Sequence, residues 1–344
     1  MSWWAQPVAK PSEAVRDQAK AHQVSLTKPA GSLGRLEHLA TDFAAWQDTV
    51  KPTIERITIR VFAGDHGVAV EGVSAFPQSV TRSMLTNFIN GGAAICVLAK
   101  QHAADFSVVD IGVVGEPAES AGVIDRRLAS GTANFLHGAA MSHQVLDKAL
   151  EIGREQVDGH ADLFIGGEMG IGNSTVAAAL TSAFLQVPAA LTVGAGTGID
   201  DARLQRKLAV VDAALALHNH PDNSPLETLR CLGGLEIAAL TGAYIASAQN
   251  AVPALVDGYV SNVAALAACR LNPGTREWLL FAHRSSESGH QLLLDEMSAV
   301  PLLDLGLHLG EASGAALAIP LLRSACELHA GMATFETAQV ASRL

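Results

Sequence analysis

The sequence predicts an α/β protein, a parallel sheet covered by helices on both faces, with a small helical domain built from both chain ends. Three observations predict it. Six short β-branched or apolar runs recur, each ending at Gly, Asp, Glu or His: ITIRVFAGDHG (57–67), FSVVDIG (106–112), DLFIGGE (162–168), ALTVGAG (190–196), VPALVDG (252–258) and EWLLFAH (277–283). Alanine- and leucine-rich stretches with helical spacing separate them, as in DARLQRKLAVVDAALAL (201–217). Alternation of this kind belongs to parallel sheets buried on both faces. Finally, the first 50 residues and the region from about 285 carry helical patterns and no strand run.

From the N-terminus, two helical segments, about 12–22 and 33–48, surround TKPAGSLGRLE. They are assigned with about 285–344 to the small helical domain, and 51–284 form the large α/β domain. Ligands of such sheets bind beyond the carboxyl ends of the strands. Asp65, Asp110, Glu168, Gly196 and Asp257 are expected there. The segment HNHPDNSP (218–225) reads as a turn-rich surface loop.

The totals narrow the function classes. The chain has 344 residues, 49% hydrophobic and 17% charged, with a net charge of −11. That is ample for a large core. An acidic chain without a Lys/Arg-rich run is a poor binder of nucleic acid or anionic membrane. The most apolar regions, 232–271 and 305–326, are interrupted by Glu236, Pro253, Asp257, His308 and Glu311, so they read as buried elements and not membrane spans. MSWWAQPVAK has no basic segment followed by an apolar one, and a cytoplasmic location is expected. Cys96, Cys231, Cys269 and Cys326 share no ligand spacing and read as small buried hydrophobes.

FIGGEMGIGNST (164–175) looks like a strand end, a glycine-rich turn and a helix start. Free N–H groups and the helix dipole make such turns anion sites. Gly167 and Gly172 have P-loop spacing, but Asn173 stands where that motif needs lysine. VGAGTGID (193–200) has Ile199 in place of the third glycine of the dinucleotide fingerprint. Together the two turns have the means to cradle one monophosphate, with the Ser174 and Thr175 hydroxyls and with Lys207 for positive charge. The same glycines also suit plain tight turns.

Three other features bear on chemistry. Asp65 and His66 resemble metal ligands, but the further Asp and Asn-His elements that a metallophosphoesterase needs are missing downstream. The loop after them offers Ser74, Phe76 and Met84 as a pocket wall for an aromatic ligand. Glu311, among small residues in an apolar segment, reads equally as a helix-start carboxylate or as a desolvated general base. Two glutamates beside a phosphate cradle suit a nucleotide whose base is a pyridinium. Cleavage of its glycosidic bond develops positive charge on the ribose, which a carboxylate stabilises.

These residues lead to a resemblance. TKPAGSLGRLE (27–37), AGDHGV…EGVSAFPQSVT (63–81), GEMGIGNST (167–175), GTGID (196–200), CLGGLEIAALTGA (231–243) and LGEASGAALA…MATF (309–335) run in family order over nearly the whole chain. The chain resembles the nicotinate-nucleotide–dimethylbenzimidazole phosphoribosyltransferases of cobalamin nucleotide-loop assembly. The resemblance implies a Rossmann-like parallel sheet and a homodimer. It implies transfer of ribose 5-phosphate from nicotinate mononucleotide to 5,6-dimethylbenzimidazole, with neither metal nor cofactor. Glu311 would be the general base, and Glu168 would lie close to the reacting groups. The resemblance makes Lys207 the phosphate-binding lysine; from the turns themselves, nucleotide contacts are expected from Gly170, Gly172, Asn173, Ser174, Thr175, Gly196, Thr197 and Gly198, and base contacts from Ser74, Phe76, Met84 and Leu309. One departure is Ala195, where many members carry arginine. A metal-dependent phosphohydrolase using Asp65, His66, Asp110 and Asp257, and a non-catalytic nucleotide-binding module, are the competing classes.

Overall fold

The computed structural model describes residues 2–116, 122–196, 198–218 and 224–341. Six parallel strands form one sheet: β1 (Ile57–Gly64), β2 (Asp105–Gly112), β3 (Val123–Asp125), β4 (Leu163–Met169), β5 (Ala254–Val256) and β6 (Leu279–Phe281), in the order β3-β2-β1-β4-β5-β6. This is the doubly wound Rossmann order, whose direction reverses between β1 and β4. There Phe62 pairs with Glu168 and Ala63 with Met169.

Alternate strand residues feed two cores. On one face Phe62, Val109, Phe164 and Val256 pack under α5 (His143–Glu155), α6 (Asn173–Leu185), α8 (Pro225–Leu232), α9 (Leu235–Gln249) and α10 (Tyr259–Leu271). α7 (Asp201–His218) packs on α6, and α11 (His290–Glu296) on α10. On the other face Ile59, Val61, Ile165 and Leu255 pack under α2 (Arg35–Trp46), α3 (Ser79–Ile89), α4 (Ala94–Gln101) and α12 (Ser313–Gly331).

The chain ends meet. Leu26, just past α1 (Glu13–Ser25), bridges Thr334, and Phe335 N–H donates to Ser25 O at 2.9 Å. Within TKPAGSLGRLE, the buried Lys28 Nζ lies 2.8 Å from Glu37 Oε1, which ties that loop to α2. α12 therefore packs on the N-terminal helices and on the sheet at once. Among the described residues no helix is long and apolar enough to cross a membrane.

One expected strand is corrected. ALTVGAG (190–196) forms a 3₁₀ turn, Ala189–Leu191, followed by irregular chain. Both edges of β4 are already taken by β1 and β5, so no partner remains for the run there. Thr192 Oγ1 instead bonds back to α6, 2.7 Å from Ser182 Oγ and 3.1 Å from Ala178 O. β3 was not foreseen; it is three residues long and pairs only with β2.

Candidate active site

β4 delivers Glu168 to the carboxyl edge of the sheet. The chain then turns tightly through Gly170, whose α-carbon abuts the Gly64 carbonyl and the His66 ring and leaves no room for a Cβ. Gly172 takes φ +99°, a left-handed value that suits glycine. α6 begins at Asn173, whose Nδ2 donates to Glu168 Oε2. Asn173, Ser174 and Glu168 line a cleft with Gly258, Tyr259, His283, Leu309 and Glu311. A second, wider opening of about 790 Å³ adjoins it through Gly196, Glu287, His308 and Leu309.

Lys207 comes from α7 and lines neither cleft; it lies buried behind Ser174, which does. It is 1% exposed, and its Nζ donates to Ser174 Oγ at 3.1 Å and Gly194 O at 3.0 Å. A Cβ on Gly196 would sit 3.5 Å from this Nζ. The two glycine-rich turns therefore share one ammonium. Burial pulls Lys207 down to about 8, with the Glu287 charge opposing part of that.

Glu311 comes from the turn before α12. Glu311 and Ala312 both hold positive φ, 61° and 64°, an uncommon pair for residues with a Cβ. Gly167 makes room for them, because a Cβ there would lie 2.7 Å from Ala312 N. Glu311 is 7% exposed, and burial, with the Asp257 charge second, pushes its carboxyl up to about 7. Glu168 is raised well above the usual carboxylate range by burial and then by Asp257, Glu236 and Glu311, while the Glu311 N–H pulls the other way.

A family model for a phosphoribosyltransferase, DBI_PRT, matches residues 8–340. The nicotinate-nucleotide–dimethylbenzimidazole phosphoribosyltransferase of Pseudomonas aeruginosa is 55% identical over 347 residues, covering 100% of this chain and 99% of that protein. The chain belongs to this family of enzymes. The Pseudomonas putida protein of the same name, from strain W619, is 54% identical over 99% of each chain. Two crystal structures from Thermus thermophilus cover 96% of this chain and 100% of their own. One is a nicotinate-nucleotide–dimethylbenzimidazole phosphoribosyltransferase with TM-score 0.91 and 42% identity, the other is described as CobT with TM-score 0.92 and 43% identity.

Of the site residues expected from the sequence, Glu168, Gly170, Asn173, Ser174, Gly196, Leu309 and Glu311 line the first cleft, and Gly198 lines the second. Thr175 is fully buried and Gly172 faces Ala69, so neither lines either cleft. Thr197 lies outside the described residues, as does 219–223 of the histidine-containing loop. Ser74, Phe76 and Met84 do not line the clefts either. Phe76 is 49% exposed on its loop, and Met84, on α3, packs against the core.

Asp65 and His66 are engaged elsewhere. Asp65 accepts from Thr81 Oγ1 at 2.7 Å and Val114 N at 2.8 Å. His66 Nε2 lies 3.0 Å from Glu236 Oε1, both fully buried. Among the described residues no three His, Cys, Asp or Glu side chains converge as a metal site. His283, Ser285, Glu287, Tyr259 and His308 received no role from sequence reasoning, yet they line the clefts. The available signal was positional: His283 ends the EWLLFAH run just as Asp257 ends VPALVD.

Proposed function

We propose that the chain transfers ribose 5-phosphate from nicotinate mononucleotide to 5,6-dimethylbenzimidazole. The products are α-ribazole 5′-phosphate and nicotinate, the activation of the lower ligand in cobalamin synthesis. The observation that carries this reading is two buried carboxylates, Glu168 and Glu311, in one cleft lined also by Ser174, behind which the buried Lys207 ammonium donates to the Ser174 hydroxyl. Such a site suits a ligand that is anionic at its phosphate and cationic at its base.

In this reading the phosphate sits at the Lys207–Ser174–Gly196 corner and the pyridinium ribose near Glu168. One ring nitrogen of the benzimidazole forms the new bond to the anomeric carbon. The bond to the pyridinium nitrogen breaks with its electron pair going to nicotinate, and the configuration inverts. Glu311 takes the proton from the other ring nitrogen. A carboxyl raised to about 7 is matched to that work near neutral pH. Burial and three carboxylates oppose the charge of Glu168 and raise its carboxyl well above the usual range. A cationic ring beside it favours the ionised form. Pyridinium is a good leaving group, so positioning, cation stabilisation and one deprotonation account for the catalysis.

The helices of 1–50 and about 285–344 act here as one unit that carries Glu311 against the large α/β unit, 51–284. The family resemblance supports a homodimer in the cytoplasm. The test is nicotinate release with and without dimethylbenzimidazole, followed by chromatography. Base-dependent release with an α-linked ribotide is expected, and Glu311→Gln should slow turnover by about 10²–10⁴-fold while nucleotide binding stays near normal. Release that ignores the base overturns transfer in favour of hydrolysis.

A further inference from the structure

We propose that Asp257 is a positioning residue for the transfer: from the end of β5 it anchors the Glu311–Ala312 turn and presents its charge to both Glu311 and Glu168. The inference rests on Glu311 acting as the base. Asp257 is 1% exposed, and its Oδ1 accepts the Ala315 N–H at 2.7 Å, in the first turn of α12. That bond satisfies a helix-start donor that α12 has no side-chain cap to serve. It fixes the helix just after the strained pair at 311 and 312. Ser313 completes the clamp, with Oγ donating to Gly310 O at 2.7 Å.

The other half of the Asp257 carboxylate is unusual. Oδ2 is buried and has no hydrogen-bond partner among the described residues. A carboxylate kept in this condition is costly. A structural anchor needs only Oδ1, since asparagine offers the same acceptor. The charge is what asparagine would lack, and it bears on Glu311 and Glu168 together. His283, at the end of β6, is its counterpart, with Nε2 3.6 Å from Oδ1. The His283 ring lies against Gly314, where a Cβ would overlap it. Burial opposes charge on His283, but Asp257 outweighs it and the net shift is upward.

Other groups also face this pair. Glu168 from β4, Cys96 from α4 and His308 on its own loop face Glu311. His290 from α11 and Tyr244 from α9 face Asp257. Glu236 from α9 acts on Glu168. Burial remains the larger cause of the Glu311 rise, so removing Asp257 should undo only part of it.

The experiment is the kcat–pH profile, at saturating concentrations of both substrates, for wild type, Asp257→Asn, Asp257→Ala, His283→Gln and Glu311→Gln. The wild-type rate should climb through an acid limb near pH 7 as Glu311 ionises. Asp257→Asn should move that limb down by about one pH unit, which is about tenfold in relative rate well below the limb, with the nucleotide KM little changed. His283→Gln should move it up, because Asp257 loses the imidazole at 3.6 Å that shares its charge. Asp257→Ala, lacking the anchor as well, should also lose plateau rate. An unmoved limb in both Asp257→Asn and His283→Gln, with Glu311→Gln inactive, overturns the role of Asp257 and leaves the base assignment standing. Full turnover by Glu311→Gln overturns the base assignment and this inference with it. If Asp257→Asn fails to fold, the upward shift in His283→Gln still decides the matter.

Discussion

Replacing Lys207 with methionine should make the protein more stable and worse at holding its nucleotide. The ammonium is 1% exposed and donates to one hydroxyl and one carbonyl, with no carboxylate among those partners. Burial brings its titration from the ordinary 10.5 to about 8. At about 1.4 kcal/mol per pH unit, that drop amounts to about 3 kcal/mol of native-state penalty. The sign follows from proton counting. Between about 8 and 10.5 the unfolded chain holds the proton and the folded one does not, so stability rises with pH through that window. Below about 8 the penalty is fully present. Methionine keeps the apolar stem and removes the charge. It also forfeits two hydrogen bonds, which returns about 1–2 kcal/mol. A net gain of about 1–2 kcal/mol at about pH 7 is expected. Urea unfolding of both proteins at about pH 7 and pH 10 measures it, and at the higher pH the gap should vanish and reverse by up to about 1 kcal/mol. In the proposed role, loss of a charged phosphate contact costs about 1.5–3 kcal/mol, or about 10–100-fold in nucleotide affinity. A variant less stable than wild type at neutral pH, with a gap that ignores pH, would refute the reasoning.

Two further outcomes follow from buried contacts. Glu236→Gln removes the partner that, against the opposing effect of burial, holds His66 above its usual value. Such a raised histidine lends stability below the unfolded value of about 6.5 and loses it as pH passes the folded value. The variant should therefore lose about 3 kcal/mol near pH 6 and less at higher pH, and a deficit that grows with pH would count against the pair. Gly242→Ala would set a Cβ on the Leu150 carbonyl where α9 crosses α5, and Gly153 faces Ala239 in the same way. Guanidinium unfolding should show a loss of about 1–3 kcal/mol, and an unchanged midpoint would mean the two helices are farther apart in solution.

Five of the six apolar runs are strands because each is a short, largely buried segment of the kind parallel sheets require. The run at 190–196 has the same composition and fails because β4, the strand before it, is already flanked by β1 and β5, which composition cannot report. Val123–Asp125 was invisible for the converse reason: three residues beside polar chain become a strand only because β2 offers an open side. The cleft was legible where glycine turns and lone carboxylates mark it, at Glu168, Asn173, Ser174, Gly196 and Glu311. Ser74, Phe76 and Met84 line neither cleft, since apolar character near a glycine loop gives no direction in space.

By itself the sequence determined the class of the fold, the family and the identity of the chemical groups available, since periodicity, glycine turns and long motifs are local properties. The tertiary structure alone decided the strand order and hence which groups share a cleft. Asp257 and His283 meet because β5 and β6 lie side by side, and Glu311 joins them because α12 returns across the sheet. Their basicities are likewise tertiary, for a carboxylate's hold on its proton depends on burial and on distances to other charges.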